Sequence, residues 1–264
     1  MHGWTVRYLL AHATSRPAAA FLEDVYTKLS RQTTWFLTHR RRDGMTLPYY
    51  LHGNDSGWDN STMFAEGIPL IAPDLAALLV LQTEVLSELA TELGHAEAAD
   101  QWRKTSEQLL AGLLELWDGT SFVPQRLDLD NELVPVACNS LIPFIPILLG
   151  TRLAPDIRER LAAGIEPLVT DHGVATEHPD SPQYVENGYW RGPIWAPSTL
   201  LIAFGLKDAG FPDLAATIAK RFCTTCKESG FAENFNALTG EGLRDRAYTW
   251  TSSGFQMLVR TFGL

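Results

Sequence analysis

Nine consecutive residues, Asn54-Asp55-Ser56-Gly57-Trp58-Asp59-Asn60-Ser61-Thr62, gather carboxyls, amides, hydroxyls, a glycine and an indole. No helical or strand period accounts for that density of short polar side chains, so the stretch reads as a loop with a chemical task. A further carboxyl stands far downstream in Phe231-Ala232-Glu233-Asn234-Phe235-Asn236. Two carboxyls beside aromatic surface suit glycoside cleavage, where one protonates the leaving oxygen and the other is base or nucleophile. Asp59 is the preferred acid because it follows Trp58 directly. An apolar indole disfavours ionisation of a neighbouring carboxyl, and an acid working near neutrality needs that. Asp55 is its rival, read as a turn or cap residue before Ser56-Gly57. Glu233 is the second carboxyl, with Asn234 and Asn236 placed to hold a carboxylate and a water. Its rival is Glu241, in a turn that reads as solvated.

A third segment, Asn187-Gly188-Tyr189-Trp190-Arg191-Gly192-Pro193-Ile194-Trp195, adds aromatic rings and a cation. Pro193 suits the first turn of a helix, which would set Arg191 at the helix mouth to orient a carboxylate or bond sugar hydroxyls. Trp58, Trp190, Trp195 and Trp250 all lie in or beside polar loops. There an indole offers a flat apolar plate for a sugar's C–H face and an N–H donor. The competing reading is that these rings close loops onto the core.

The bulk properties narrow the class. At 264 residues and 45% hydrophobic content the chain can bury a large core, and we read residues 1–264 as one domain. A formal charge of −10 opposes nucleic-acid binding and suits a neutral substrate. No run of about 18 apolar residues argues for a membrane span, and Met1-His2-Gly3-Trp4 does not read as a secretory signal. Three cysteines fit a reducing cytoplasm. Cys223 and Cys226 form a CxxC without a second pair, and the histidines match no metal spacing, so neither metal nor cofactor is expected. Motifs for phosphate, dinucleotide, serine-hydrolase and zinc-protease chemistry are absent.

Helices must position these loops. Apolar spacing predicts them at about 19–42, 73–93, 96–117, 139–149, 154–164, 193–209, 212–228 and 249–262. The basic run His39-Arg40-Arg41-Arg42 closes the first of these, complementing its dipole. A β-hairpin is expected within 120–136, turning at Asp128-Leu129-Asp130-Asn131. Short turns alternate with long aromatic loops at 43–68 and 167–192. That alternation predicts an all-α fold, an α/α toroid with loops gathered on one face and one small hairpin inserted.

Taken together, Asn54 to Ser61, Tyr189 to Trp195, Glu233 to Gly242 and Tyr248-Thr249-Trp250-Thr251 closely resemble glycoside hydrolase family 63. The nearest resemblance is to its mannosylglycerate and glucosylglycerate hydrolases, with a weaker likeness to trehalases at Ser56-Gly57-Trp58-Asp59. The resemblance implies an α/α six-hairpin barrel and an inverting hydrolase of a small α-glucoside or α-mannoside. Asp59 then matches the general acid and Glu233 the general base. Tyr189, Trp190, Arg191, Gly192 and Trp195 match the sugar-subsite segment, with Trp58, Asn60 and Trp250 beside it. This chain reads Asn236-Ala237-Leu238-Thr239-Gly240 where members often have Asn-Pro-Leu-Thr-Gly. Relatives also have a longer N-terminal part, so the expectation is an incomplete barrel whose bare helix faces favour a homo-oligomer. The alternatives are a carbohydrate-binding remnant with impaired catalysis, or a sugar epimerase using His52 or His172 on the same toroid.

Overall fold

The computed structural model describes residues 1–130 and 132–264; Asn131, in the expected hairpin turn, lies outside the described residues. The helices are α1 (His2–His12), α2 (Ala19–His39), α3 (Gly53–Ser56), α4 (Pro73–Glu92), α5 (Ala96–Leu114), α6 (Pro155–Ile165), α7 (Ala196–Ala209), α8 (Pro212–Ser229) and α9 (Thr249–Phe262). Local chemistry sets many of the boundaries. Proline stands in the first turn of α4, α6, α7 and α8, where its missing N–H costs nothing. Glycines follow the last turns of α7, α8 and α9.

Two kinds of helix sort into two layers. Helices α4 and α7 are buried on nearly every side, so they lie inside. Helices α2, α5 and α8 bury one face each and pack on these two, and α6 packs likewise on the Ile142–Arg152 stretch. Both cysteines of the CxxC point into the core from α8, and burial raises both thiols, Cys223 to about 11 and Cys226 further. Among the described residues no cluster of ligands for a metal is present, and no helix is long and apolar enough to cross a membrane.

Helix α1 is not among the expected helices, α2 and α5 each end three residues early, and two further elements differ in kind or start. The predicted helix at 139–149 is instead 3-10 winding over Ile142–Arg152, with Pro146 lacking a donor inside it and a kink at Gly150, whose φ 55° and ψ −130° are not helical. It is nonetheless an inner element, packed between α4 and α7. The helix expected from 193 begins only at Ala196, with Pro197 in its first turn. Ile194 is held extended instead, paired with Phe235 on one side and Ala175 on the other. Arg191 therefore does not sit at a helix mouth.

The inner elements form an arc, α1 against α4, α4 against Ile142–Arg152, then α7, then α9. Trp4 and Tyr8 of α1 meet Phe204 of α7 edge-on, at 5.3 and 5.7 Å between ring centres. Between α1 and α9 the arc leaves a cavity of about 710 Å³. The strands are minor. The expected hairpin is present as β2 (Gln125–Leu127) and β3 (Leu133–Pro135), Arg126 opposite Val134, with β1 (Leu70–Ile71) on its other edge. Two further pairs are β4 (Val169–Thr170) with β5 (Gly173–Val174), and β6 (Asn234–Phe235) with β7 (Gly242–Leu243).

Candidate active site

The Asp59 loop is built by its own polar side chains. His52 Nδ1 accepts from the Asn54 amide at 3.0 Å, starting the single turn α3. Asp55 accepts from the Leu51 amide at 2.9 Å and pairs with Arg40 at 3.2 Å. Asp55 is thus committed to the frame, and Arg40 reaches back to it from the end of α2 while lying 4.9 Å over Trp35. Ser56 Oγ donates to the Gly53 carbonyl at 2.6 Å and accepts from the Trp58 amide at 2.9 Å. The chain then curls back so closely that a Cβ on Gly53 would collide with the Asp59 carbonyl. Gly53 is a requirement that sequence reasoning did not single out.

The second loop is bound to the first through Asn60. Its Oδ1 accepts from the Trp190 amide at 3.0 Å and its Nδ2 donates to the Gly188 carbonyl at 2.9 Å. The expected sugar-binding amide is in this geometry a clamp between loops. Trp190 stacks on Trp195 at 4.2 Å with 5° between planes, and Trp58 lies 4.7 Å from Trp190. Trp195 donates Nε1–H to the Tyr189 carbonyl at 2.9 Å.

Burial corrects the picture of four open plates. Trp195 is 0% exposed, Trp190 3% and Trp58 6%, whereas Trp250 is 48% exposed. Trp195 is therefore backing for the stack, and Trp250, 6.1 Å from it, is the open ring. Gly192 is also structural. At its φ of 146° a Cβ would meet Tyr184 at 2.7 Å and the Val185 carbonyl at 2.8 Å. Arg191 donates to the Gln183 carbonyl at 3.2 Å, closing its own loop, and its Nε is buried without a partner.

The third segment is joined to the second by main chain. Ile194 and Phe235 exchange hydrogen bonds of 2.8 and 3.0 Å, which fixes Glu233 two residues away, just before the short strand β6. The Glu233 amide donates to the Asp245 carbonyl at 2.7 Å. Tyr189 is where the segments meet. Its phenol is pushed up by burial first, then by the charges of Glu233 and Asp59, which both face it. Tyr248 is raised by burial and by Glu233 and Asp245. Arg244 lies 4.8 Å over the Tyr189 ring, and both residues hold positive φ, 62° and 65°. Asp59 and Glu233 are each half-buried.

Other expectations fall elsewhere. Asn236 bonds Glu186 at 3.2 Å and caps its own turn through the Leu238 and Thr239 amides, so it does not hold Glu233. Asn234 is fully buried with neither side-chain atom partnered. His52 caps α3, and His172 fills the space facing Gly240, so neither stands with the carboxyls. The α1–α9 cavity is walled in part by Trp58, Trp190 and Trp250 but by neither Asp59 nor Glu233, so it adjoins the pair rather than enclosing it. Glu177, fully buried and bonded to Thr62 and Ser181, was not singled out in the sequence.

Known proteins share this architecture. The mannosylglycerate hydrolase MGH1-like glycoside hydrolase domain profile matches residues 1–251. A mannosylglycerate hydrolase of Thermus thermophilus is 28% identical over 186 residues, covering 68% of this chain and 40% of the relative. The chain thus spans less than half the length of that relative. A second, from Rubrobacter radiotolerans, is 23% identical over 318 aligned positions, covering 96% and 71%. That aligned stretch exceeds the 264 residues present here, so the relative carries insertions between the matched ends. The crystal structure of a family 63 mannosylglycerate hydrolase from Thermus thermophilus, in complex with glucose, superposes with a TM-score of 0.85 at 21% identity. The match covers 98% of this chain and 75% of that one. The fold is accordingly that of the helical six-hairpin glycosidases, and the chain belongs to the mannosylglycerate hydrolase MGH1-like family of glycoside hydrolase domains.

Proposed function

We propose that this chain hydrolyses a small α-mannoside or α-glucoside, of the mannosylglycerate or glucosylglycerate kind, with inversion at the anomeric carbon. The observation that carries the reading is the convergence of two carboxyls on Tyr189. Its phenol feels the charges of both Glu233 and Asp59, although the two acids are 174 positions apart (233 − 59). The names borne by the family and its relatives support the substrate class. Three free thiols suit the reducing cytoplasm, where we place the reaction.

In this mechanism Asp59 gives its proton to the glycosidic oxygen as the bond to the anomeric carbon breaks. Glu233 takes a proton from the water that attacks the opposite face. Inversion requires the carboxyls to stand about 6.5–9.5 Å apart, leaving room for that water. The Tyr189 hydroxyl orients Glu233, and the exposed Trp250 ring offers an apolar face beside the stack. Solvent then restores the proton to Asp59 and removes it from Glu233.

Turnover of mannosylglycerate tests the reading directly. Asp59→Asn and Glu233→Gln are each expected to lower kcat by about 10³-fold with helical content unchanged. Proton NMR of fresh product is expected to show the β-anomer first. Full activity in either variant would sink the assignment, and first release of the α-anomer would remove inversion.

A further inference from the structure

Glu177 lies outside the machinery described so far. It has no exposed surface, and each carboxyl oxygen accepts one hydroxyl, Thr62 Oγ1 at 2.6 Å and Ser181 Oγ at 2.7 Å. Among the described residues it makes no ion pair. A buried carboxyl without a cation is costly, so packing alone gives no reason for it.

Its main chain is fixed on both sides. Glu177 bridges Ser140, and the flanking amide of His178 donates to the Asn139 carbonyl at 2.8 Å. The Leu141 amide donates to the Thr176 carbonyl at 3.0 Å, and the Thr176 amide donates to the Gly192 carbonyl at 3.2 Å. Of the two bonded hydroxyls, Ser181 belongs to the same segment as Glu177. Thr62 belongs to the other loop, three positions after Asp59, and opens the 3-10 turn Thr62–Phe64. Asn60 holds that loop one residue past Asp59, and Glu177 holds it at Thr62. Asp59 hangs just before two anchored points that share one rigid backing, the 176–192 segment.

We propose that Glu177 is a positioning residue: through Thr62 it sets the reach of Asp59 to the leaving oxygen. The inference rests on Asp59 as the general acid, and the test separates the two. Mannosylglycerate has a leaving group that needs a proton, whereas α-mannosyl fluoride expels fluoride with far less help. Glu177→Gln keeps the volume but weakens acceptance from the two hydroxyls. It is expected to lower kcat on mannosylglycerate about 100-fold, while kcat on the fluoride and both KM values stay within a few-fold. Thr62→Val should reproduce that selectivity, and the double variant should be no worse than the stronger single one. Ser181→Ala removes a bond to the same carboxyl without touching the Asp59 loop and should leave the ratio of the two rates as it is.

Equal losses on both substrates, or no loss on either, would overturn the proposal. Should Glu177→Gln fail to fold, Thr62→Val decides the question by the same ratio. Asp59→Asn is run in parallel. If it is selective and Glu177→Gln is not, only the positioning role fails; if Asp59→Asn also loses both activities equally, the assignment of the acid fails with it.

Discussion

One side-chain amide makes two of the bonds that join the loops of this site. Asn60 offers its oxygen to the Trp190 amide and its nitrogen to the Gly188 carbonyl, so Asn60→Ala removes both bonds at once. The stability loss should be modest, about 1 kcal/mol, because the side chain is exposed and water can replace part of what is lost. The activity loss should be larger, about tenfold or more, since Asp59 moves with the loop. Urea denaturation and kcat on one preparation check the contrast. This residue also marks what a sequence can disclose. Asp59, Glu233 and Tyr189 stand out because polar and aromatic side chains without a period have no packing role to explain them. That Asn60 bonds main chain rather than sugar depends on Gly188, 128 positions away, and no local pattern carries that distance. Glu177 was invisible for the same reason: it reads as one glutamate in a loop until Thr62 is beside it.

Among the α-helices described, α3 is the shortest and the most exacting. Its first residue, Gly53, admits no side chain because the Asp59 carbonyl occupies the space where a Cβ would stand. Gly53→Ala is therefore expected to push the Asp59 loop outward and reduce turnover by about 100-fold. Helical circular dichroism should be retained, since α4, α5 and α7 do not depend on that contact. A variant with unchanged kcat would show that the loop can relax. Long helices were legible from apolar spacing and from proline and glycine at their ends, as with Pro73 and Gly94 around α4. The Ile142–Arg152 stretch was not read correctly. Its apolar residues gave a helical period, but Pro146 removes a donor and Gly150 breaks the winding with a non-helical φ and ψ, and hydrophobicity encodes neither.

At the scale of the whole molecule, one buried acid links stability to pH. Asp74, in the first turn of α4, is 1% exposed and takes a hydrogen bond from Tyr50 at 3.1 Å. Burial pushes its carboxyl up to about 6 from 3.8, against the pull of main-chain bonds and Tyr50. The folded chain thus holds this proton more tightly than the unfolded chain. The resulting stabilisation is whole below about pH 4 and is lost as pH rises through 6. Asp74→Asn, which keeps an acceptor for Tyr50 and cannot ionise, should gain on the order of 1 kcal/mol at pH 8. At pH 4 it should gain nothing. Urea titrations at the two pH values give the comparison, and an equal effect at both would refute the linkage.

The tethers between loops have a consequence in time as well as in space. Asn60 to Gly188 closes 128 residues and Thr62 to Glu177 closes 115, whereas the bonds inside each helix span a single turn. Chain entropy makes such distant closures slow and late. The carboxyl pair is therefore among the last features a folding chain acquires and among the first an unfolding one gives up, so a chain can be rich in helix before it has any site at all.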